Sequence, residues 1–336
     1  ATTQQGDQGL TIGRTASILA GLPESVPGFA IDRMCAGAMT AVTTTGSSIG
    51  IGAYDLVLAG GVEHMGRHPM GFDADPNPRF LSEKLVSPDA LNMGCTAEKI
   101  HDRFPALTKD RADAFSVLSQ QKAAKAYKNN KIQPDLISVS AGSEAGWSLV
   151  SQDELMRPES TIEGMQGLKT PFRAHGKVTA GNASPLTDGA TVALLAGERA
   201  LAKHGLKPKM KLVSFAFAGV APEIMGIGPI PATEKALEKA GLKIEDIGLF
   251  EINEAFAVQV LSFLDHFGIA DDDARVNKYG GAIAFGHPLA SSGVRLMNQL
   301  AKQFEEHPGV RFGLTTMCIG LGMGGSVVWE NSNWKG

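Results

Sequence analysis

The alternation of short apolar segments with helix-like segments restricts this chain to an α/β fold. Residues 56–59 form a continuous apolar run before Gly60-Gly61, which is typical of a parallel strand covered on both faces. A short apolar strand is also predicted at 29–33, and the small-residue segment 36–51 between these strands is predicted to be a buried helix. A strand, a helix and a strand at this spacing form a βαβ unit.

A second α/β series begins near residue 210. Its predicted strands are 213–217, 247–252, 312–317 and 326–330. Its predicted helices are 231–240, 253–267 and 291–304. The two halves of the chain are therefore predicted to have a similar arrangement of elements, each with a buried helix behind a strand.

Between these halves lies a region of different composition. It is rich in Pro, Asp and Asn, with one clear helix at 109–128 and a polar, hairpin-like part at 132–156. A buried strand at 188–196 and a helix at 198–204 then resume the earlier pattern. The predicted domains are an amino-terminal half (1–66 with 187–206), an inserted loop domain (67–186) and a carboxy-terminal half (207–336).

Charge and cysteine content exclude several classes of function. The 336 residues carry a net charge of −4, and the 31 Lys and Arg residues are scattered, unlike the basic stripe of a nucleic-acid-binding protein. No apolar stretch is long enough to predict membrane insertion. Cys35, Cys95 and Cys318 form no CxxC pair, which argues against a disulfide framework or a zinc site and favours a reducing compartment.

Cys35 is the first candidate for chemistry. It lies where a predicted strand passes into a predicted helix, and the helix macrodipole at such a position favours a thiolate. The small residues Ala36-Gly37-Ala38 leave room for a substrate. From this segment alone, a buried structural cysteine in a tight turn is as good an interpretation as a nucleophile.

Two further glycine-rich segments carry reactive side chains. His287 follows Gly286 in an irregular loop, where a neutral imidazole could accept a proton from a thiol. Cys318 opens a segment with four glycines in eight residues, whose amides could face a ligand, although a plain hairpin turn fits as well. Asn253 is placed to cap a helix. Loops that follow buried strands converge on one crevice in open α/β sheets, and this favours a shared site.

Together these segments resemble the thiolase family, specifically its degradative 3-ketoacyl-CoA thiolases. Four motifs occur in the family's order and spacing, around Cys35, at 253–256, at 280–288 and at 318–320, and the similarity spans essentially the whole chain. The segments 60–65 and 181–184 support it. The residues 224–226 with 228–229 also resemble the β subunits of bacterial fatty-acid oxidation complexes. The resemblance implies two similar βαβαβαββ halves that form a five-layer αβαβα core with an inserted loop domain.

The resemblance also implies a role for each site residue. Cys35 would attack the 3-keto carbon of the substrate, and His287 would accept its proton. His287 and a water held by Asn253 would stabilise the resulting oxyanion. Cys318 would protonate the departing acetyl-CoA enolate and then deprotonate the incoming CoA, while the backbone N–H groups of Cys35 and Gly320 would form a second oxyanion hole. The expected contacts with CoA and the acyl chain are Met93, Ser184, Ala255 and Phe256.

The implied activity is cleavage of a 3-ketoacyl-CoA by CoA in fatty-acid β-oxidation, with no metal and no permanently bound cofactor. A biosynthetic acetoacetyl-CoA thiolase and an inactive acyl-CoA-binding or scaffold subunit are the alternatives. Asn92 stands where short-chain biosynthetic thiolases carry histidine, and this favours degradation. Ketoacyl-synthase-type condensing enzymes typically pair their cysteine with two histidines, whereas Cys318 occupies the second position here.

The family resemblance also predicts how the protein assembles and where it acts. CoA serves as co-substrate, and the expected partners are acyl-CoA and a second copy of the chain in a homodimer or homotetramer. Association with a hydratase–dehydrogenase α subunit is a further expectation. The predicted location is the cytoplasm, with an organellar matrix as the alternative. Family members have a strand, a helix and a strand before the position of Ala1, so we expect the chain to continue in that direction.

Overall fold

The computed structural model describes residues 1–71, 75–143 and 146–335. Its strands are β1 Leu56–His64, β2 Val139–Ser143, β3 Gly146–Val150, β4 Asp188–Ala196, β5 Met210–Gly219, β6 Ile247–Ile252, β7 Phe312–Ile319 and β8 Met323–Asn331. Its α-helices are α1 Ile12–Leu19, α2 Gly37–Gly50, α3 Arg79–Ser82, α4 Met93–Arg103, α5 Lys109–Lys128, α6 Ile162–Gln166, α7 Glu198–His204, α8 Pro229–Ala240, α9 Ala257–Phe267, α10 Ala282–Phe285 and α11 Ser292–Glu306. Both halves combine helices with strands, as the α/β prediction requires.

The largest sheet belongs to the carboxy-terminal half and has the strand order β5-β8-β7-β6. Strands β6 and β7 are parallel, whereas β8 is antiparallel to both β5 and β7. A second sheet pairs β1 with β4, and a third is the hairpin β2–β3 within the predicted polar region 132–156. Residues 144–145 lie outside the described residues. The assignment of 67–186 to a separate loop domain stays a prediction.

The predicted parallel βαβ unit of the first half is wrong. Strand β1 pairs antiparallel with β4 in continuous register, and the segment 29–33 forms no strand pairing among the described residues. Helix α1 instead supplies hydrogen bonds to the backbone carbonyls just before this segment. Arg14 donates to the carbonyls of Val26 and Glu24, and Phe29 lies so close to Gly13 that a Cβ there would be 2.3 Å from the Phe29 oxygen.

Helices α2 and α11 pack side by side; α11 contacts both larger sheets, and α2 packs on the β1–β4 sheet. The approach is close, because a Cβ on Gly293 would lie 2.6 Å from the backbone nitrogen of Met39. The predicted burial of this helix is confirmed for its first half, where Ala38 and Met39 are fully inaccessible, but Thr44, Ser47 and Gly50 in its second half are exposed. The starts of these two helices therefore lie together, and the segments preceding each of them share one region.

Helix α9 begins four residues later than predicted. Residues 253–256 continue from β6 as irregular backbone, and the helix starts only at Ala257. The Asn253 N–H donates to the Thr316 carbonyl of β7, so Asn253 extends the strand contact and does not cap the helix. Elsewhere the predicted elements at 109–128, 188–196, 198–204 and 247–252 are confirmed at their bounds. The strand 188–196 is not buried as predicted, because its residues are exposed or only partly buried. Among the described residues, no helix combines the length and hydrophobicity needed to cross a membrane.

Candidate active site

Cys35 lies in the short 3₁₀ turn Met34–Ala36 that leads directly into α2. This turn contacts both strand β7 and the segment Leu289–Ser291 before α11. Met34 has a left-handed backbone with φ of 44°, and its N–H donates to Asp32 Oδ1 at 2.6 Å. A non-glycine residue in this conformation is strained, and such strain commonly holds a functional side chain in place.

The Cys35 thiol is protonated at neutral pH. Burial raises its pKa to about 11, although interaction of the sulfur with the backbone N–H groups of Gly320 and Cys35 lowers it. The charges of Glu63 and Asp32 raise it further. The expectation that the helix start favours a thiolate is therefore wrong for the resting protein, because loss of hydration outweighs the donors around the sulfur.

His287 is almost completely buried and held on three sides. Its backbone N–H donates to Thr187 Oγ1 at 3.0 Å, and its ring Nδ1 lies 2.6 Å from Ser292 Oγ. The Nδ2 atom of Asn253 lies 3.4 Å from both ring nitrogens. Burial, followed by the charge of Arg295, lowers the pKa of His287 to about 3. The imidazole is therefore neutral and able to accept a proton.

Cys318 is the penultimate residue of β7 and is 1% exposed. Burial raises the pKa of its thiol, and the charge of Cys35 is the next largest cause, which indicates that the two sulfurs lie near one another. The glycine-rich loop predicted after Cys318 is shorter than expected, because Gly324 and Gly325 lie within β8. Gly324 is required by close packing, since a Cβ there would be 2.0 Å from Gly228.

The residues predicted to contact CoA and the acyl chain lie in two places. Ser184, Ala255 and Phe256 lie together, because the Ser184 N–H donates to the Ala255 carbonyl at 3.0 Å and an isolated bridge joins Phe256 to Ala183. Met93 is the first residue of α4, and its sulfur lies 3.7 Å from the position of a Cβ on Gly320. The contacts of these residues with a substrate stay a prediction.

Asn92 has a structural role at the start of α4. Its Oδ1 accepts from the N–H groups of Gly94 and Cys95, which makes it the N-cap of that helix. Asparagine is among the best N-cap residues, so this contact accounts for Asn92 without reference to the acyl chain.

Sequence reasoning missed three side chains that hold the histidine and asparagine. Thr187 accepts from the His287 backbone, Ser292 contacts its ring, and Arg295 donates to Asn253 Oδ1 at 3.1 Å. A usable signal was present for two of them, because Ser292 and Arg295 are polar, three residues apart and therefore on one face of a helix predicted to pack in the core. Among the described ranges, no cluster of three or more His, Cys, Asp and Glu residues could hold a metal ion.

Comparison with known proteins decides the family. The thiolase N-terminal domain profile matches residues 1–199, and the thiolase C-terminal domain profile matches residues 206–331. The chain belongs to the thiolase family. It is therefore an acyltransferase by family, and the fold predicted from the resemblance is confirmed.

Individual thiolases agree with this assignment. The chain is 40% identical to the 3-oxoadipyl-CoA/3-oxo-5,6-dehydrosuberyl-CoA thiolase of Escherichia coli, over 97% of this chain and 85% of that protein. It is 42% identical to the 3-ketoacyl-CoA thiolase of Colwellia psychrerythraea, over 97% of this chain and 84% of that protein. The crystal structure of human mitochondrial 3-ketoacyl-CoA thiolase matches with a TM-score of 0.87 and 31% identity, over 98% of this chain and 85% of that one.

We predict that Gly320→Ala lowers kcat about 10- to 100-fold, because it disturbs a backbone donor of the kind that forms oxyanion holes. A Cβ at this position would lie 2.6 Å from Met34 Sδ, so either the Gly320 backbone or the Met34 side chain next to Cys35 must shift. Steady-state kinetics with a 3-ketoacyl-CoA measures the effect. Gly309→Ala is the matched control, because nothing lies within 4 Å of its added methyl group. Equal activity of the two variants would contradict the prediction.

The raised pKa of Cys35 predicts a continuous pH dependence of alkylation. Because the thiolate is the reactive form, the rate of Cys35 modification by iodoacetamide should rise about tenfold per unit between about pH 6 and about pH 9, with no plateau. Peptide mapping by mass spectrometry measures the rate at Cys35 separately from Cys95 and Cys318. A plateau already reached near neutral pH would show a thiolate–imidazolium pair and would refute the neutral resting state.

Proposed function

We propose that this thiolase is a 3-ketoacyl-CoA thiolase, which cleaves its substrate with CoA to acetyl-CoA and a shortened acyl-CoA through an acyl-Cys35 intermediate. The observation that carries the proposal is that the N–H groups of Cys35 and Gly320 interact with the Cys35 sulfur, with a second thiol at Cys318 nearby. A nucleophile, donors for the adjacent oxyanion and a separate acid are the groups that this reaction requires.

In the first step the Cys35 sulfur adds to the 3-keto carbon while its proton passes to His287. The new oxyanion is one bond away from the carbon that carries the sulfur, so the Cys35 and Gly320 N–H groups that face the sulfur are placed to donate to it. This assignment moves the first oxyanion from the His287 and Asn253 side, where the family resemblance puts it, to the backbone donors. The transfer from a neutral thiol to a neutral imidazole is driven by formation of the C–S bond.

In the second step the bond between C2 and C3 breaks, leaving an acyl-Cys35 thioester and the enolate of acetyl-CoA. Cys318 protonates the enolate carbon and becomes a thiolate. The protonated His287 and the amide of Asn253, acting through a water, are the donors available to the enolate oxygen. Their buried position strengthens these interactions, because water does not screen them.

In the third step the Cys318 thiolate takes the proton of the incoming CoA thiol, whose sulfur attacks the acyl-Cys35 carbonyl. Collapse of this second tetrahedral intermediate releases the shortened acyl-CoA and returns a proton from His287 to Cys35. His287 and Cys318 then have their starting protonation states again, and none of the three steps uses a metal or another cofactor.

The substrate class is best supported as the 3-ketoacyl-CoA esters of fatty-acid β-oxidation. The similarity to relatives named 3-ketoacyl-CoA thiolase supports it. The similarity to relatives named β-ketoadipyl-CoA thiolase favours a second candidate, in which the acyl chain ends in a carboxylate. The two candidates share all three chemical steps and differ only at the end of the acyl chain.

Thiolysis of a matched pair of substrates separates the candidates. 3-Oxohexanoyl-CoA and 3-oxoadipyl-CoA have acyl chains of the same length. The first chain ends in a methyl group and the second in a carboxylate. We expect the higher kcat/KM with 3-oxohexanoyl-CoA and with its longer neutral homologues. A preference for 3-oxoadipyl-CoA would establish the second candidate, and no thiolysis of any member would refute the proposed function.

We also infer a homodimer or homotetramer. Strands β1 and β4 share a face on which Leu58, Val192 and Leu194 are each more than half exposed, and covering such a face stabilises an assembly. Light scattering after size-exclusion chromatography measures the molar mass. A cytoplasmic location, with an organellar matrix as the alternative, and association with a hydratase–dehydrogenase α subunit stay predictions.

A further inference from the structure

Arg295 is a cation next to the proposed catalytic histidine for which the three steps give no role. It lies on α11 three residues after Ser292, so both side chains leave the same face of the helix. Ser292 contacts the ring of His287, whereas Arg295 reaches the neighbouring Asn253. One turn of α11 thus contacts both His287 and Asn253, the two side chains proposed to stabilise the enolate.

The partners of Arg295 are neutral amides. Its Nη2 donates to Asn253 Oδ1 at 3.1 Å and its Nη1 to Gln299 Oε1 at 2.9 Å, while its Nε is buried without a hydrogen-bond partner in the part of the chain that the structure describes. No ion pair of Arg295 occurs among those residues. A partly buried cation bound only to neutral groups is costly for stability, so its presence indicates a role in the site.

The acids that act on Arg295 do so from a greater distance. Burial lowers the pKa of Arg295, and the charges of Glu251, Glu254 and Asp153 only partly oppose that shift. Glu251 is completely buried, and burial raises its pKa to about 8, so it is largely protonated at neutral pH. Glu254 is occupied by Ser119 and Asn277, which donate to its two carboxylate oxygens at 2.7 Å each. The guanidinium is therefore not neutralised by direct contact.

The contact with Arg295 determines which end of the Asn253 amide faces the site. A guanidinium has donors only, so it must face the single oxygen of the amide, and the Nδ2 group then points the other way. Nδ2 lies at the same 3.4 Å from both ring nitrogens of His287, and it therefore forms no ordinary in-plane bond to either one. Its N–H groups stay available to a water or a substrate oxygen.

We propose that Arg295 is a positioning residue that holds Asn253 by its oxygen and so directs the Asn253 N–H groups at the oxygen of the departing enolate. The proposal rests on the proposed thiolase function and concerns only the step that breaks the C–C bond. Transfer of an acyl group between Cys35 and CoA forms no enolate. That transfer uses the Cys35 and Gly320 donors instead, so it does not depend on the orientation of Asn253.

The test compares thiolysis of a 3-ketoacyl-CoA with exchange of labelled CoA into a saturated acyl-CoA. We expect Arg295→Met to lower kcat for thiolysis about 10- to 100-fold, as loss of a polar donor at such a site does, with KM little changed and exchange within about threefold of wild type. In an Asn253→Ala background, Arg295→Met should lower thiolysis by less than about threefold more, because the two residues act as one unit. Lys302→Met is the matched control, since Lys302 is a cation on the same helix that pairs with Asp135 away from the site.

Equal loss of thiolysis and exchange in Arg295→Met, or additive losses in the double variant, would overturn the proposal. A wild-type protein that catalyses neither reaction would refute the proposed function instead. If Arg295→Met does not fold, Arg295→Lys serves the same comparison, because lysine keeps the charge but cannot bind Asn253 and Gln299 with a planar fork. A selective loss of thiolysis in Arg295→Lys supports the positioning role, and equal losses overturn it.

Discussion

Replacing Cys35 by alanine is expected to abolish thiolysis. Loss of a nucleophile removes the covalent route altogether, and in comparable enzymes this lowers kcat by on the order of 10⁴- to 10⁶-fold. The substitution removes one sulfur atom and leaves the backbone donor at position 35 in place. Binding of a CoA ester should therefore stay within about twofold of wild type, because the truncated group contributes little to ground-state affinity. Turnover and CoA-ester affinity are measured on the same preparation.

The acyl-enzyme gives the decisive readout for this variant. Wild-type protein mixed with 3-ketoacyl-CoA in the absence of free CoA should gain the mass of one acyl group at Cys35, and Cys35→Ala should gain none. Cys95→Ala is the matched control, because Cys95 is also a partly exposed thiol and its sulfur has only a long contact of 3.9 Å to the Phe172 carbonyl. Acylation of Cys35→Ala at another residue would contradict the assignment of the nucleophile.

Replacing Cys318 by alanine is expected to slow acylation of Cys35 by 3-ketoacyl-CoA about 10²- to 10⁴-fold, the usual contribution of a positioned general acid. Because burial raises the pKa of Cys318, its thiol is protonated before the reaction and has a proton to give to the enolate. Without that proton the carbanion is a poor leaving group. Rapid-quench measurement of acyl-Cys35 under single-turnover conditions determines the rate.

The variant Cys318→Ser distinguishes a role of Cys318 as proton donor from a role in packing. Serine keeps the size and a hydroxyl proton but is a far weaker acid than a thiol, so it should restore little of the lost rate. Full recovery by serine would mean that Cys318 acts by packing or hydrogen bonding. Acylation of Cys318→Ala at the wild-type rate would refute the proton-transfer role directly.

Local patterns in the sequence predicted much of the fold. The helix at 109–128 and the strand at 247–252 were predictable because their residues satisfy the required periodicity and turn signals without help from distant segments. The partner of β1 was not predictable. An apolar run of four residues fits a parallel and an antiparallel strand equally well, and β4 lies more than a hundred residues away in sequence. The strand predicted at 29–33 failed because contacts with α1 replaced sheet pairing.

The sequence predicted which residues form the candidate site, but it did not predict their pKa values. Cys35, Asn253 and His287 each carry a recognisable motif. The pKa of Cys35, in contrast, depends on burial by β7 and by the segment before α11, and neither is adjacent to it in sequence. Arg295 was missed because its function lies in a contact across 42 positions, which no local pattern reports.

The neutral state of Cys35 has a consequence for survival under oxidative stress. Hydrogen peroxide attacks thiolates, so proteins that sense peroxide keep their reactive cysteine ionised and exposed. A sulfur whose pKa is raised to about 11 exposes almost no thiolate to peroxide between turnovers. The reactive thiolate therefore forms chiefly while a substrate occupies the site, which slows oxidation of the Cys35 sulfur between turnovers.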